Sequence, residues 1–186
     1  LLQDKIALIT GGSRGIGEAI AKRYAEQGAS VAFTYHSSEE RAKKVEAELQ
    51  AMGVKAKGYK SDASSYEQAE ALVKDVLEEF GQVDILINNA GIQHVSKLED
   101  FPAEKWQMLI NVMLVGPALL TQAFLPHMRV QNFGRIINVG SIHSVVASPF
   151  KSAYVSAKHG LLGFAKTIAL ETGDVDVTIN TLCPAY

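Results

Sequence analysis

The chain has 186 residues, of which 47% are hydrophobic and 20% are charged, and its formal net charge is −2. This length and composition predict one folded domain, and the balanced charge gives no reason to expect a nucleic acid or an anionic membrane surface as a partner. The longest apolar run, residues 112–120, is too short to span a bilayer. A single cysteine, Cys183, excludes an intrachain disulfide and suits a reducing compartment. Because a strand pattern already begins by Lys5, we expect no signal peptide and a cytoplasmic protein.

Six short segments rich in β-branched and other apolar residues alternate with helical patterns along the chain. Most of them are apolar throughout, which is typical of parallel strands that are covered on both faces. The predicted strands span residues 6–10, 31–35, 55–59, 84–88, 135–139 and 177–182.

The clearest helical pattern lies between the third and fourth predicted strands, where apolar residues recur at helical spacing over residues 69–80. Gly81 is its expected stop, and its cap is one of Asp62, Ser64 and Ser65. Further helices are predicted from near residue 16, over 38–52, over 102–129 and over 152–171.

Strands that alternate with helices predict right-handed crossovers and a parallel sheet with helices on both faces. The expected fold is therefore a doubly wound α/β fold. Such folds bind ligands at the carboxyl ends of their strands. Most of the chemically interesting residues of this chain follow a predicted strand.

A glycine-rich loop follows the first predicted strand, with Gly11, Gly15 and Gly17 at G-x-x-x-G-x-G spacing. Glycines let the backbone turn tightly and approach a pyrophosphate, which then meets the free N–H groups of the next helix. A glycine cluster could be only a tight turn, but here a strand precedes it and a helical pattern follows. The segment predicts a Rossmann-like dinucleotide site with the binding residues Gly11, Ser13, Arg14, Gly15, Ile16 and Gly17.

The end of the second predicted strand bears on the choice of dinucleotide. A site for NAD usually has an Asp or Glu there, which binds the ribose 2′-hydroxyl. Residues 33–38 contain no carboxylate, and Arg14 could pair with a 2′-phosphate. These residues favour NADP(H); the alternative is that Arg14 is a solvated loop charge.

General acid–base chemistry is suggested by three residues that follow the fifth predicted strand, namely Ser141, Tyr154 and Lys158. Tyr154 and Lys158 are four residues apart and share one face of a helix. A phenol ordinarily titrates near pH 10, and a neighbouring ammonium lowers the pKa of a phenol. Tyr154 could then exchange a proton with a substrate hydroxyl or carbonyl, while Ser141 hydrogen-bonds the same oxygen.

With these motifs the chain resembles the short-chain dehydrogenase/reductase family over its whole length. The Asn-Asn-Ala-Gly motif at residues 88–91, Asn111 and Asp62 also match the family pattern. The resemblance implies a catalytic tetrad of Asn111, Ser141, Tyr154 and Lys158, in which Asn111 supports a water-linked proton relay. It implies that Lys158 also binds the nicotinamide ribose and that Asp62 contacts adenine. The cofactor contacts that it adds are Asp62, Asn89, Ala90, Gly91, Tyr154, Lys158 and Pro184.

Departures from the family pattern concern the end of the chain. Family members commonly run longer and carry a Pro-Gly after the sixth strand, whereas this chain reads Pro184-Ala185 and stops at Tyr186. We therefore expect a single dinucleotide-binding and catalytic domain over residues 1–186 that is incomplete at its C-terminus. The seventh strand and the mobile lid of the family would lie beyond it.

Polar residues that flank the tetrad suggest the substrate. An amide, an imidazole and an ammonium, from Gln93, His143 and Lys151, suit a small substrate that carries a carboxylate. Each could instead be an ordinary loop residue. The five histidines show no paired ligand spacing, so no metal site is expected. The predicted substrate-binding set is Gln93, Ser141, His143, Lys151 and Tyr154.

Within the family, the segments 91–94, 101–106 and 147–154 are most similar to the D-3-hydroxybutyrate dehydrogenases, in which residues matching the three polar residues hold the substrate carboxylate. This resemblance implies hydride transfer between a nicotinamide cofactor and C3 of a short 3-hydroxy acid. It also implies NAD, so that NAD and NADP(H) both remain open.

Arg14 and residues 33–41 are more similar to the 3-oxoacyl-carrier-protein reductases, NADPH enzymes of the same family. That activity is the alternative function, and Arg129 with Arg135 gives it little basic surface. A dinucleotide-binding regulator without catalysis is a more remote alternative, against which the tetrad argues.

The two long predicted helices, 102–129 and 152–171, bear on assembly. They resemble those by which family members pair, which implies a homodimer or homotetramer. Their apolar faces could instead simply cover the sheet.

Overall fold

The computed structural model describes residues 1–185, so that Tyr186, the last residue of the predicted domain, lies outside the described part. Each predicted strand is present, and no end differs from its prediction by more than one residue. The strands are β1 (Ile6–Ile9), β2 (Ser30–Tyr35), β3 (Ala56–Lys60), β4 (Ile85–Asn88), β5 (Gly134–Val139) and β6 (Val177–Leu182). They form a parallel sheet in the order β3-β2-β1-β4-β5-β6.

Helices connect the strands at the predicted places. They are α1 (Gly15–Glu26), α2 (Glu39–Ala51), α3 (Tyr66–Phe80), α4 (Ala103–Ile110), α5 (Gly116–Val130) and α6 (Ser152–Glu171). The helix predicted over 102–129 is continuous, but its winding changes between α4 and α5 in a π-helical turn, Asn111–Val115. Short 3-10 helices cover Leu98–Asp100 and Ile142–Ser144.

Strand side chains point alternately to one face of the sheet and the other. Both faces are buried, each in an apolar cluster with helices. Leu8, Leu86 and Ile136 lie in an apolar cluster with residues of α3, α5 and α6. Ile9 and Ile87 lie in a second cluster with residues of α1 and α2. Helices on both faces of a parallel sheet confirm the predicted doubly wound α/β fold.

The ends of α3 show how local sequence sets a helix. Ser65 Oγ accepts a hydrogen bond from the N–H of Gln68 at 3.3 Å, so Ser65 is the cap among the three candidates. Asp62 instead accepts from the N–H and the Oγ–H of Ser64, at 2.9 and 2.7 Å. Gly81 ends the helix with a φ of 82°, a conformation that glycine adopts without strain.

The helical segment Ala103–Val130 is long and apolar enough to cross a membrane by length and composition, with a mean hydropathy of 1.8 over 18 residues. The continuous apolar run at residues 112–120 covers only part of this segment, because polar residues interrupt the apolar ones elsewhere in it. In the structure 44% of that window is buried, and Leu120 and Phe124 pack in the core against the sheet. Packing as a core helix accounts for its composition.

We predict that Phe124→Ala lowers the free energy of unfolding by about 3–5 kcal/mol, because the fully buried ring leaves a cavity between α5 and the sheet. Gln122→Ala, on the exposed side of the same helix, is the matched control. Because the Gln122 side chain is exposed, its truncation should change stability by no more than about 0.5 kcal/mol. Urea denaturation of both variants measures the difference, and equal losses would contradict the assignment of the core.

Candidate active site

A cleft of about 900 Å³ opens at the carboxyl edge of the sheet. It crosses the point between β1 and β4 where the strand order reverses, which is where doubly wound sheets bind ligands. All the predicted cofactor and substrate residues line it except Gly17. Three of the four predicted tetrad residues also line it, and Asn111 is the exception.

The glycine loop is hydrogen-bonded to the strands on either side of it. The N–H of Gly11 donates to Thr34 Oγ1 on β2 at 3.0 Å. Asn89 Nδ2, just beyond β4, donates to the carbonyl oxygens of Thr10 and Gly11 at 2.9 and 3.3 Å. Thr10 Oγ1 accepts from the N–H groups of Asn89 and Ala90, each at 2.9 Å. Asn89 and Ala90 therefore hold the loop in place as well as line the cleft.

Gly17 lets the first turn of α1 pack closely against the glycine loop and Asn89. A Cβ at this position would lie 2.3 Å from Gly11 O and 2.6 Å from Asn89 Nδ2, closer than side-chain atoms approach such groups. Gly15 differs, since the space around its Cβ position is open and its φ is 55°. At Gly15 the backbone conformation requires glycine, whereas at Gly17 the neighbouring atoms require it.

The N-terminus of α1 fits a pyrophosphate group. The first N–H groups of a helix have no partner inside it. The N-cap residue of α1, Arg14, makes no side-chain capping bond to them either. Gly15 and Ile16 are exposed at the cleft. Free N–H groups at the positive end of a helix bind phosphate, and the Arg14 guanidinium adds positive charge. These residues would hold the phosphates of a dinucleotide.

The far end of the cleft is formed by residues that follow β2 and β3. Thr34, His36 and Ser38 line it together with Asp62. His36, to which the sequence pattern assigns no binding role, also lines the cleft, and its place directly after a strand is consistent with that. Hydrogen bonds from the N–H and hydroxyl of Ser64 lower the pKa of Asp62, which is therefore an anion at neutral pH. His36 Nε2 lies 3.9 Å from Asp62 Oδ2.

Tyr154 and Lys158 share one face of α6, as the sequence predicts. Lys158 is 5% exposed, and its Nζ donates to the carbonyl of Val139 at the end of β5 at 2.7 Å. Burial lowers the pKa of Lys158 to about 8. Its Nζ lies 5.7 Å from the centre of the Tyr154 ring. A positive charge in this position stabilises negative charge on a phenol oxygen.

Ser141 caps the 3-10 helix that follows β5. Its Oγ accepts from the N–H of His143 at 3.2 Å, and its own N–H donates to Ser144 Oγ at 3.2 Å. These bonds fix the side chain at the cleft. Ser141 Oγ also lies 3.4 Å from His143 Nδ1, so the hydroxyl can donate to a ligand oxygen or to the imidazole, depending on the tautomer. The His143 ring is buried and meets Tyr154 edge-on, with centres 5.9 Å apart.

Asn111 begins the π-helical turn and does not line the cleft. Its carbonyl accepts from the N–H of Gly116, and its Oδ1 accepts from Gln107 Nε2 at 2.8 Å. The turn packs on α6, and its Met113 lies in an apolar cluster that Tyr154 joins. Such turns are frequent at functional sites. The relay role of Asn111 stays a prediction.

The loop that carries Gln93 meets the start of α6, where Lys151 is the N-cap residue. Both side chains line the cleft. Gln93 Oε1 accepts from the N–H of His94 at 3.1 Å, which leaves its Nε2 to donate elsewhere. The N–H of Ser96 donates to the carbonyl of Phe150 at 2.9 Å and ties the two segments together. An amide and an ammonium therefore lie in the same cleft as the buried imidazole.

Residues 5–186 match the family model of the short chain dehydrogenases. A D-beta-hydroxybutyrate dehydrogenase from Cupriavidus necator is 43% identical over 186 residues, which cover 100% of this chain and 72% of that protein. A 3-oxoacyl-[acyl-carrier-protein] reductase from Staphylococcus aureus is 36% identical over 182 residues, 98% of this chain and 74% of that protein.

Solved structures with the same fold differ in the dinucleotide that they hold. A metagenomic short-chain oxidoreductase in complex with NADP has a TM-score of 0.94 and 34% identity, covering 100% of this chain and 84% of that one. A NAD+-bound xylitol dehydrogenase has a TM-score of 0.94 and 31% identity, covering 100% of this chain and 71% of that one. A nicotinamide dinucleotide is common to both.

We predict that Gly17→Ala weakens dinucleotide binding by about tenfold or more, because the added methyl must displace the Gly11 carbonyl or the Asn89 amide. Gly163→Ala on α6 is the matched control, since nothing lies within 4 Å of its Cβ position. That variant should bind normally and gain about 0.5–1 kcal/mol of stability. Fluorescence titration with NADH and NADPH measures binding. Wild-type affinity in Gly17→Ala would refute the packing argument.

Lys158→Met should make the protein more stable while it abolishes turnover. The pKa of Lys158 is about 8 in the folded state and about 10.4 in an unfolded chain, so the buried ammonium destabilises the fold below pH 8. We expect a gain of about 2 kcal/mol at pH 7 that shrinks as the pH rises from 8 toward 10.4. Chemical denaturation at pH 7 and 9.5 tests this, and a loss of stability at pH 7 would contradict it.

Proposed function

The chain belongs to the short-chain dehydrogenase family and is an NAD(P)-dependent oxidoreductase; from this premise we propose that it transfers a hydride between the nicotinamide and C3 of a short 3-hydroxy acid. The proposed substrate pair is 3-hydroxybutyrate and acetoacetate. We propose one dinucleotide-binding and catalytic domain over residues 1–186. The observation that carries the proposal is that Tyr154, Lys158 and the polar side chains of Gln93, His143 and Lys151 line one cleft.

Tyr154 is the proposed acid–base residue, which takes the proton from the substrate hydroxyl or returns it. Ser141 donates a hydrogen bond to the same oxygen and keeps it beside the phenol. The bound nicotinamide accepts or supplies the hydride. The Lys158 ammonium stabilises a phenolate at Tyr154, and its remaining protons are available to ribose hydroxyls. Asn111 is proposed to extend the proton relay to solvent.

Recognition of a carboxylate is the proposed role of the other polar side chains. Lys151 supplies charge, and Gln93 Nε2 supplies a neutral donor. The imidazole Nδ1 of His143 lies 3.4 Å from Ser141 Oγ, and the ring packs edge-on against Tyr154. A small acid held at one end would present its C3 oxygen to Tyr154 at the other.

The choice between NAD and NADP(H) is proposed from the residues near the adenosine end. Arg14 and the absence of a carboxylate from residues 33–38 favour NADP(H). The relatedness to D-beta-hydroxybutyrate dehydrogenases favours NAD. The solved relatives hold either dinucleotide, and we infer that the cleft admits both.

Reduction of a 3-oxoacyl thioester on a carrier protein is the second candidate, supported by the identity to the Staphylococcus aureus reductase. An acidic carrier protein requires exposed basic surface. Arg129 pairs with Asp174 at 3.0 Å and Arg135 with Asp176 at 2.8 Å, which neutralises the two cations proposed for that surface. A purely regulatory protein is disfavoured by the intact acid–base pair.

Self-association into a homodimer or homotetramer is also proposed. Val130 on α5 and Leu170 on α6 are 91% and 86% exposed, and apolar side chains on the outer parts of these long helices suit a second copy. We also propose a cytoplasmic location, because Cys183 is a free, partly buried thiol and such a thiol suits a reducing compartment.

The substrate class is tested with Lys151→Ala. Loss of a charged partner in a closed site costs about 2–5 kcal/mol, so kcat/KM for 3-hydroxybutyrate should fall roughly 30-fold or more. The kcat/KM for a neutral ketone should fall much less, since Tyr154 and Lys158 remain in place. Lys166→Ala, on the exposed side of α6, is the matched control and should be silent.

Steady-state rates on 3-hydroxybutyrate, its methyl ester and a carrier-linked thioester complete the comparison. The free acid should be preferred, and Tyr154→Phe should retain less than a tenth of wild-type turnover. A preference for the thioester together with a silent Lys151→Ala would sink the hydroxy-acid assignment in favour of the carrier-protein reductase.

A further inference from the structure

Ser144 is a buried residue of the loop after β5, and the proposed reaction gives it no role. It is 1% exposed and is not among the described residues that line the cleft. It is the last residue of the 3-10 helix that Ser141 caps. Ser144 Oγ accepts the N–H of Ser141 at 3.2 Å, and the N–H of Ser144 donates to the carbonyl of Ser141 at 2.8 Å. Two hydrogen bonds therefore join this buried residue to the serine that is proposed to bind the reacting oxygen.

The backbone on either side of Ser141 continues the pairing of β5 with β6 and the chain that follows it. The N–H of Gly140 donates to the carbonyl of Leu182 at 2.7 Å. The N–H of Ile142 donates to the carbonyl of Pro184 at 2.9 Å. Ser141 lies between these two donors with an extended backbone, φ −166° and ψ 165°. Successive N–H groups of an extended chain point to opposite sides, so that of Ser141 points away from β6. A side chain rather than a strand therefore supplies its acceptor.

Gly140 leaves the space that the Ser144 hydroxyl occupies. A Cβ at position 140 would lie 2.8 Å from Ser144 Oγ and 2.8 Å from Thr181 Cγ2, closer than real Cβ atoms approach other groups. Because glycine has no Cβ, the hydroxyl can approach the backbone just before Ser141. The hydrogen bond between Ser141 and Ser144 thus depends on a glycine at position 140.

Ser141 is held both at its backbone and at its side chain. Its N–H donates to Ser144 Oγ, and its Oγ accepts the N–H of His143 at 3.2 Å. Without the Ser144 hydroxyl, the N–H of Ser141 would lose its acceptor, and an unpaired N–H that is shielded from water costs free energy. The preceding peptide would turn toward another acceptor or toward water, and this rotation would move the Ser141 hydroxyl. The bond to Ser144 therefore controls where that hydroxyl lies in the cleft.

We propose that Ser144 is a positioning residue that acts through Ser141. Its buried hydroxyl holds the Ser141 backbone in the orientation that presents Ser141 Oγ to the reacting oxygen of the substrate. The inference rests on the proposed function, in which Ser141 donates a hydrogen bond to that oxygen. It applies to a 3-hydroxy acid and to a 3-oxoacyl thioester alike, because both have this oxygen at C3.

Steady-state kinetics of Ser144→Ala, on the substrate that the wild type turns over fastest, tests the proposal. Loss of one hydrogen bond should lower kcat about three- to tenfold. The effect should fall on kcat more than on KM, because the Ser141 hydrogen bond strengthens as charge develops on the reacting oxygen. NADH and NADPH should bind as in the wild type. Thr121→Val is the matched control and should keep wild-type kcat, since the buried Thr121 Oγ1 has no hydrogen-bond partner within the described residues.

The same substitution in a Ser141→Ala background separates positioning from a general structural role. With the Ser141 hydroxyl gone, Ser144→Ala should lower kcat by no more than about twofold further. An equal loss of kcat in both backgrounds, or a loss of dinucleotide affinity that matches the loss of kcat, would overturn the proposal.

Ser141→Ala alone distinguishes the two possible failures. If Ser141→Ala lowers kcat while Ser144→Ala leaves kcat unchanged, only the role of Ser144 is wrong. If Ser141→Ala itself leaves kcat unchanged, the proposed role of Ser141 is wrong and that of Ser144 is wrong with it.

Discussion

The hydroxyl of Thr10 joins the two halves of the sheet at the point where the strand order reverses. It accepts the N–H groups of Asn89 and Ala90, and Asn89 returns its own amide to the carbonyl oxygens of Thr10 and Gly11. This exchange fixes the loop after β1 against the loop after β4. The tight space around Gly17 is a consequence, since α1 can only start where the loop leaves room. The shape of the glycine loop therefore depends on a few hydrogen bonds within the protein, between residues 10–11 and residues 89–90.

The two ends of the cleft use charge in opposite ways. At the chemical end, Lys158 is buried and hydrogen-bonded to a backbone carbonyl, so desolvation holds its pKa near neutrality and makes the ammonium sensitive to nearby charge. At the other end, Arg14 and His36 are exposed, so water screens any charge that they carry. A charge on Lys158 therefore acts in a desolvated setting, whereas the charge of Arg14 acts largely through solvent.

Sequence alone predicted what depends on local pattern and left open what depends on packing. The strands followed from apolar runs, and the shared face of Tyr154 and Lys158 from helical spacing. The N-cap of α3 could not be predicted in the same way, because Asp62, Ser64 and Ser65 are all good capping residues. In the structure Asp62 and Ser64 bond to each other, which leaves Ser65 as the cap. The π-helical turn at Asn111 was also missed, since no residue in it is a helix breaker and its extra residue is accommodated by packing on α6. The approach of His36 to Asp62 is likewise not predictable from local pattern, because it depends on the pairing of β2 with β3.

Some of the polar side chains at the cleft are held by regular structure and others by loops. Tyr154 and Lys158 are fixed by a helix, and Ser141 by its capping box. Gln93 stands on a loop that one backbone hydrogen bond, from Ser96 to Phe150, ties to the segment before α6, in which Phe150 has a left-handed φ of 64°. A non-glycine residue in that region costs energy that the bond between the loops must offset. Lys151 is the N-cap residue of α6 itself. Changes in the Gln93 loop can therefore move that amide while α6 keeps Tyr154 and Lys158 in place, whereas a shift of Lys151 also moves the start of α6.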